Sequence, residues 1–153
     1  MRKLSSSLVV TTLLVLSACE HDSTGPAKPE NGTMSAVVDG AAWNAISIAT
    51  DSAAPSSIII QGSNGSKRLV IAIPVDQGLG TQTVGSTTPV YAGLVSGPRS
   101  WLASRTQGGA GSITLTTVES RHIVGTFEFT LAAHEGALPS ERRVGSGRFD
   151  VKY

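Results

Sequence analysis

The chain has 153 residues, with 12 Lys and Arg against 11 Asp and Glu, a formal charge of +1, 17 Gly and a single Cys. That length carries one domain, and 15% charged with 40% hydrophobic residues excludes an extended, disordered polyelectrolyte. The near-neutral balance supplies no basic stripe for nucleic acid, and one cysteine makes neither an internal disulfide nor a cysteine-based zinc site.

Residues 1–18 have the make-up of a short, cleaved signal helix. Arg2 and Lys3 form a positive start, the run from Leu8 to Leu16 is apolar, and the small residues Ser17 and Ala18 follow it. The apolar run is about half the ~20 residues that span a bilayer as a helix, which disfavours a transmembrane segment. Leu16-Ser17-Ala18-Cys19 resembles the lipobox of bacterial lipoproteins. That resemblance implies cleavage before Cys19 and attachment of acyl chains to it, so that the membrane is the first expected partner. One chain anchors a protein only marginally, whereas two or three hold it firmly. The competing reading is an ordinary secretory signal whose end happens to contain a cysteine. Glu20 stands where an Asp would, by analogy with proteobacterial sorting, favour the inner membrane, so the expected address is the outer membrane of a bacterial cell envelope. Loss of Arg2 and Lys3 with the signal turns the balance slightly acidic, and all 17 glycines stay with the mature chain.

Residues 19–32 read as a lipidated start and flexible tether: they are polar, contain two prolines and show no apolar period. The domain then occupies 33–153. Met34, Ala36 and Val38 alternate with polar positions, and Asp39-Gly40 supplies a hairpin turn, because both residues tolerate positive φ. Trp43 to Ile48 is the expected return strand. Ser57–Gln61 and Lys67–Ile73 flank an Asn64-Gly65 turn, and their continuous β-branched runs predict central strands covered on both faces. Prolines and glycines cut residues 74–111 into pieces too short for a helix, with short strands expected near 82–84, 90–94 and 100–103. Ser112–Val118 is a strand, and from Arg121 to Ala132 the alternation is strict, with Ile123, Gly125, Phe127, Phe129 and Leu131 on one face. Phe149, Val151 and Tyr153 close the core side of the last strand. No mature segment has a helical period, so the chain reads as all-β: a single antiparallel sandwich, or a closed or partly open barrel, of about eight short strands.

Catalytic patterns are missing. There is no nucleophile elbow and no phosphate loop; Gly145-Ser146-Gly147 reads as a turn or bulge before the last strand, and Gly108-Gly109-Ala110-Gly111 precedes a strand where a dinucleotide site needs a helix. His21, His122 and His134 lack metal-ligand spacing, so no metal or other cofactor is expected. Glu119, Glu128, Glu135 and Glu141 are the acids from which a glycosidase pair would have to come, and Glu128 reads as a solvent-facing residue opposite a base such as Arg148. Trp101 with Arg99 is the one candidate ligand contact, a platform on which a sugar ring could stack. The competing reading puts Trp43 in the core and has Trp101 pin an irregular loop. The sequons at Asn31 and Asn64 read as turns.

With the strands placed, the chain resembles the DUF6252-type bacterial lipoproteins of unknown function. The resemblance rests on Met34 to Trp43, on Gly111–Thr116 with Ile123–Phe129, and on Gly147–Tyr153. It implies a lipid-anchored β-domain and brings no catalytic residues. The functional expectation is therefore a non-enzymatic envelope domain that binds an envelope protein or glycan. The alternatives are a barrel holding a small apolar ligand and, behind it, a carbohydrate-active enzyme.

Overall fold

Where apolar and polar residues alternate strictly, the chain forms strand, because successive side chains of an extended backbone point to opposite faces. The computed structural model describes residues 30–51, 57–74, 76, 78–85 and 89–153; the signal 1–18, Cys19, His21 and the tether up to residue 29 lie outside the described residues. Eleven strands follow in order: β1 (Gly32–Val38), β2 (Ala41–Asn44), β3 (Ser47–Asp51), β4 (Ser57–Ser63), β5 (Lys67–Pro74), β6 (Gly80–Val84), β7 (Tyr91–Ser96), β8 (Arg99–Ala103), β9 (Ala110–Glu119), β10 (His122–Ala133) and β11 (Glu141–Lys152). The all-β expectation holds, and no helix occurs among the described residues.

The strands form one curled antiparallel sheet, a half-barrel, with the path β2-β1-β11-β10-β8-β7-β5-β4-β3. Strand β10 is the branch point. Its Ala132 and Ala133 pair with β8, while His122 to Thr130 pair with β9, which carries β6 on its far side. The eleven strands exceed the expected eight partly because the run from Trp43 to Ile48 is two strands. At its centre the backbone changes partner: Ala45 N–H donates to Met34 O at 2.9 Å, and Ile46 N–H donates to Ser63 O at 2.8 Å. The chain thus leaves β1 and joins β4, and the two ends of the path are brought together. Side chains tie them further, Asn31 Nδ2 donating to Ile48 O and Thr50 Oγ1 to Lys152 O, both at 3.2 Å. Asn31 and Gly32, read with the tether, belong to this tie and to the head of β1.

Both hairpin turns form as their residues dictate. Val38 pairs with Ala41, and Asp39 (φ 49°) and Gly40 (φ 83°) make the two-residue turn whose twist matches the strands. In the β4–β5 turn, the Asn64 carboxamide oxygen accepts from Ser66 N–H at 3.2 Å and Lys67 N–H at 2.8 Å.

The core is continuous and lies inside the curl. It includes Met34, Trp43, Ile60, Leu69, Ile71, Leu94, Trp101, Ile113, Leu131, Phe149 and Val151, with Phe127 stacked on Phe129 at 5.2 Å between ring centroids. The interior is filled: a Cβ added to Gly62 would lie 2.6 Å from Met34 Sδ and 2.9 Å from the Trp43 ring. The expectation that β4 and β5 are covered on both faces is corrected. Ile58, Ile60, Leu69, Ile71 and Ile73 are buried, but Ile59, Val70 and Ala72 on the outer face are only half-buried. Their shielding is lateral, since Ile59 stands opposite Ala72 and Ala72 opposite Tyr91.

Candidate functional site

The long strands β9, β10 and β11 turn their apolar residues into the curl and leave a polar outer face. That face presents Ser112, Thr114 and Thr116 from β9, Val124, Thr126, Glu128 and Thr130 from β10, and Arg148 and Asp150 from β11. A regular sheet surface of this kind would be shallow. Here the β11 ladder is broken beside Glu128, while the β9 ladder runs on regularly there, Glu128 opposite Ser112. On the β11 side, Phe127 pairs with Gly147 but Phe129 with Val144, so Gly145 and Ser146 together oppose one residue, with Ser146 at φ 49°. This is a β-bulge, a device that bends a strand and re-aims its side chains. On the β9 side, a Cβ on Gly111 would lie 2.1 Å from the Glu128 carbonyl oxygen, so only glycine allows that approach.

The result is a groove along β10 made of three successive cavities. The first, about 370 Å³, is lined by Gly111, Glu128, Thr130, Arg143 and Gly145 among others. The second, about 450 Å³, shares Glu128 and adds Ser112, Thr114, Thr126, Ser146 and Arg148. The third, about 330 Å³, shares Thr126 and Arg148 and runs on to Thr33, Thr116 and Asp150. Glu128 and Arg148 are both exposed at the centre of this line. The face was legible in the alternation of residues 121–132, but the groove was not. Gly145-Ser146-Gly147 is indeed a bulge, but it lies inside β11 rather than ahead of it, and its position opposite Glu128 depends on register.

Trp101 and Arg99 do not form a stacking platform. Trp101 is 0% exposed and its ring faces inward. Trp101 Nε1–H donates to Pro139 O at 2.6 Å, and the Arg142 guanidinium covers the ring at 4.5 Å from its centroid. Arg99 is exposed at the β7–β8 turn, paired with Ser96. The indole is therefore the anchor of the β10–β11 loop, and Trp43, 2% exposed, fills the core. The same loop end holds a charge network in which Arg142 Nη1 also donates to the Asp39 carboxylate, and Arg143 N–H donates to Asp39 Oδ1 at 2.9 Å. Burial alone would raise the Asp39 pKa, but the Arg143 N–H and the Arg142 guanidinium outweigh it and hold the carboxyl below its ordinary value. Tyr91, half-buried beside Gly93, has its phenol pushed upward by burial.

The histidines and acids are dispersed. His122 lies between Asp150, at 2.8 Å, and Glu119, at 3.7 Å. His134 bonds Gln107 at 3.0 Å and sits 3.5 Å from Glu135. Glu128 and Glu135 lie on and beyond one strand, roughly 20 Å apart at ~3.4 Å per residue, too far for a glycosidase pair. Glu141 pairs with Arg143 at 3.4 Å. Among the described residues no group of three or more His, Cys, Asp or Glu is placed to hold a metal ion. No helix among them is long and apolar enough to cross a membrane.

Comparison with curated proteins and with solved structures finds no match. A family model does match, and it spans β1 through most of β11, residues 30–148, including the whole groove apart from Phe149 and Asp150. The chain belongs to the family described as domain of unknown function DUF6252.

Proposed function

We propose that the protein is a lipid-anchored envelope lipoprotein whose β-domain binds a polar envelope partner, protein or glycan, without catalysing a reaction. The observation that carries the binding reading is the groove over β9–β11, a line of cavities that share residues, with an acid and a base at its centre that have no partner among the described residues. The anchor is supported by sequence: the only cysteine follows Leu16-Ser17-Ala18 at the end of a short export signal. The outer membrane is the proposed address. We read the curl as a barrel closed at the Ala45–Ile46 corner, a rigid support for the groove. The filled interior around Gly62 gives no support to an apolar ligand held inside.

Two measurements test this reading. Mass spectrometry of the mature N-terminus is expected to find acylated Cys19, and Cys19→Ser to release the protein from the detergent phase; an unmodified Cys19 overturns the anchor. Incubation with isolated sacculi, outer-membrane vesicles and envelope proteins is expected to give binding to at least one fraction, lost in Glu128→Ala/Arg148→Ala. Equal binding by both proteins overturns the groove.

A further inference from the structure

The charges along the groove have a spacing of their own. Arg143 stands opposite Thr130, Glu128 is two residues further along β10, Arg148 stands opposite Thr126, and Asp150 opposite Val124. Read along the groove the signs therefore alternate, positive, negative, positive, negative, with each step two residues of strand. At ~3.4 Å per residue each step advances about 7 Å along the strands, and because Glu128 is on β10 and Arg148 on β11, their separation is the cross-strand diagonal, about 7–8 Å.

The outer two charges are already committed, Arg143 to Glu141 at 3.4 Å and Asp150 to His122 at 2.8 Å. Glu128 and Arg148 form no ion pair and no side-chain hydrogen bond among the described residues, although both are exposed and line the same cavity. A ligand that complements this pair must offer a positive group and a negative group about 7–8 Å apart. A polyanion meets Glu128 and Asp150, a polycation meets Arg148 and Arg143, and a neutral glycan leaves both central charges without a counter-charge. An extended peptide repeats its side chains on one face every two residues, ~7 Å, which matches that separation. The surrounding hydroxyls of Ser112, Thr114, Thr126 and Ser146 give a floor that can bond its backbone amides.

We infer that the groove takes an extended peptide segment carrying a basic side chain against Glu128 and an acidic side chain, two residues along, against Arg148. This rests on the reading of the groove as the binding surface and names its ligand class.

The test uses the full lipid-modified chain in detergent and short fluorescent peptides on a Thr/Val background, read by anisotropy. Their centres are Lys-Thr-Glu, Glu-Thr-Glu, Lys-Thr-Lys or Gln-Thr-Gln. The Lys-Thr-Glu peptide is expected to bind at least about tenfold more tightly than the others, with the gap shrinking as salt is raised. Glu128→Lys is expected to transfer the preference to Glu-Thr-Glu, and Arg148→Glu to Lys-Thr-Lys. Both side chains are exposed and have no partner among the described residues, so circular dichroism should show both variants folded. Equal binding of the four peptides, binding of none, or a preference that the charge reversals leave unchanged overturns the inference. If envelope fractions still bind through Glu128 and Arg148 while the peptides are indistinguishable, the peptide class falls and the groove stands. If envelope binding ignores both residues, both readings fall.

Discussion

Trp101 shows how one side chain can be claimed by opposite kinds of site. Its ring is fully buried, its N–H has a carbonyl partner at 2.6 Å, and a guanidinium lies on its face. Trp101→Phe keeps most of the apolar volume but strips Pro139 O of its donor, so urea denaturation should show a loss of about 1–2 kcal/mol. Arg99→Ala, at an exposed turn, should change stability by no more than about 0.5 kcal/mol. Asp39 adds a pH signature. Its folded pKa is depressed below the ordinary value of 3.8, so its contribution is present above that value and lost as the pH falls through the folded pKa. The group is about a third exposed, which limits the contribution to about 1 kcal/mol. Asp39→Asn keeps a residue that tolerates positive φ. It should therefore lower stability by that amount at neutral pH and flatten the acid limb of a stability–pH curve below about pH 4. An unchanged acid limb would remove Asp39 from the network.

At the scale of the element, turns and alternation decide what forms. Gly40 has open space around its Cα and φ 83°, so the objection to a side chain there is conformational, not steric. Gly40→Ala should cost about 1–2 kcal/mol in chemical denaturation while leaving the circular dichroism spectrum unchanged. This class of information is local, and it was readable from the sequence: the β1–β2 and β4–β5 turns, the alternation of β10 and the three short strands of the middle all fall where their residues predict. What was hidden is relational. Trp43 to Ile48 gives no sign that Ala45 bonds Met34 while Ile46 bonds Ser63, because the switch depends on two partners remote in sequence. The groove is hidden for the same reason. Glu128 faces solvent by alternation alone, but its place at the centre of a channel, beside the Gly145-Ser146 bulge and the close approach at Gly111, depends on pairing. The indole of Trp101 was ambiguous because Pro139 and Arg142, which bury it, come from a loop and strand about 40 positions further along the chain.

For the molecule as a whole, the pairing of first and last strands sets how it must fold. β11 lies between β1 and β10, and Gly32 pairs with Val151, so the β1–β11 ladder joins the two ends of the domain. β1 cannot gain its β11 ladder until nearly the whole chain is made, and the closure entropy of that loop precedes any contact that offsets it. Sheets dominated by such non-local pairs fold in milliseconds to seconds, slower by orders of magnitude than domains built from local contacts. Trp43 and Trp101 are both buried, so intrinsic fluorescence reports the event without a label. Stopped-flow refolding should accordingly give a main phase no faster than milliseconds. A chain ending at residue 140 should show no cooperative unfolding transition, because it strips β1 and β10 of the same partner and uncovers the core around Phe127 that Phe149 and Val151 complete. A cooperative transition in the truncated chain, or a sub-millisecond main phase, would mean that the hairpins β4–β5 and β9–β10 hold the structure. In that case the β1–β11 join would be a late addition and not the keystone of the sheet.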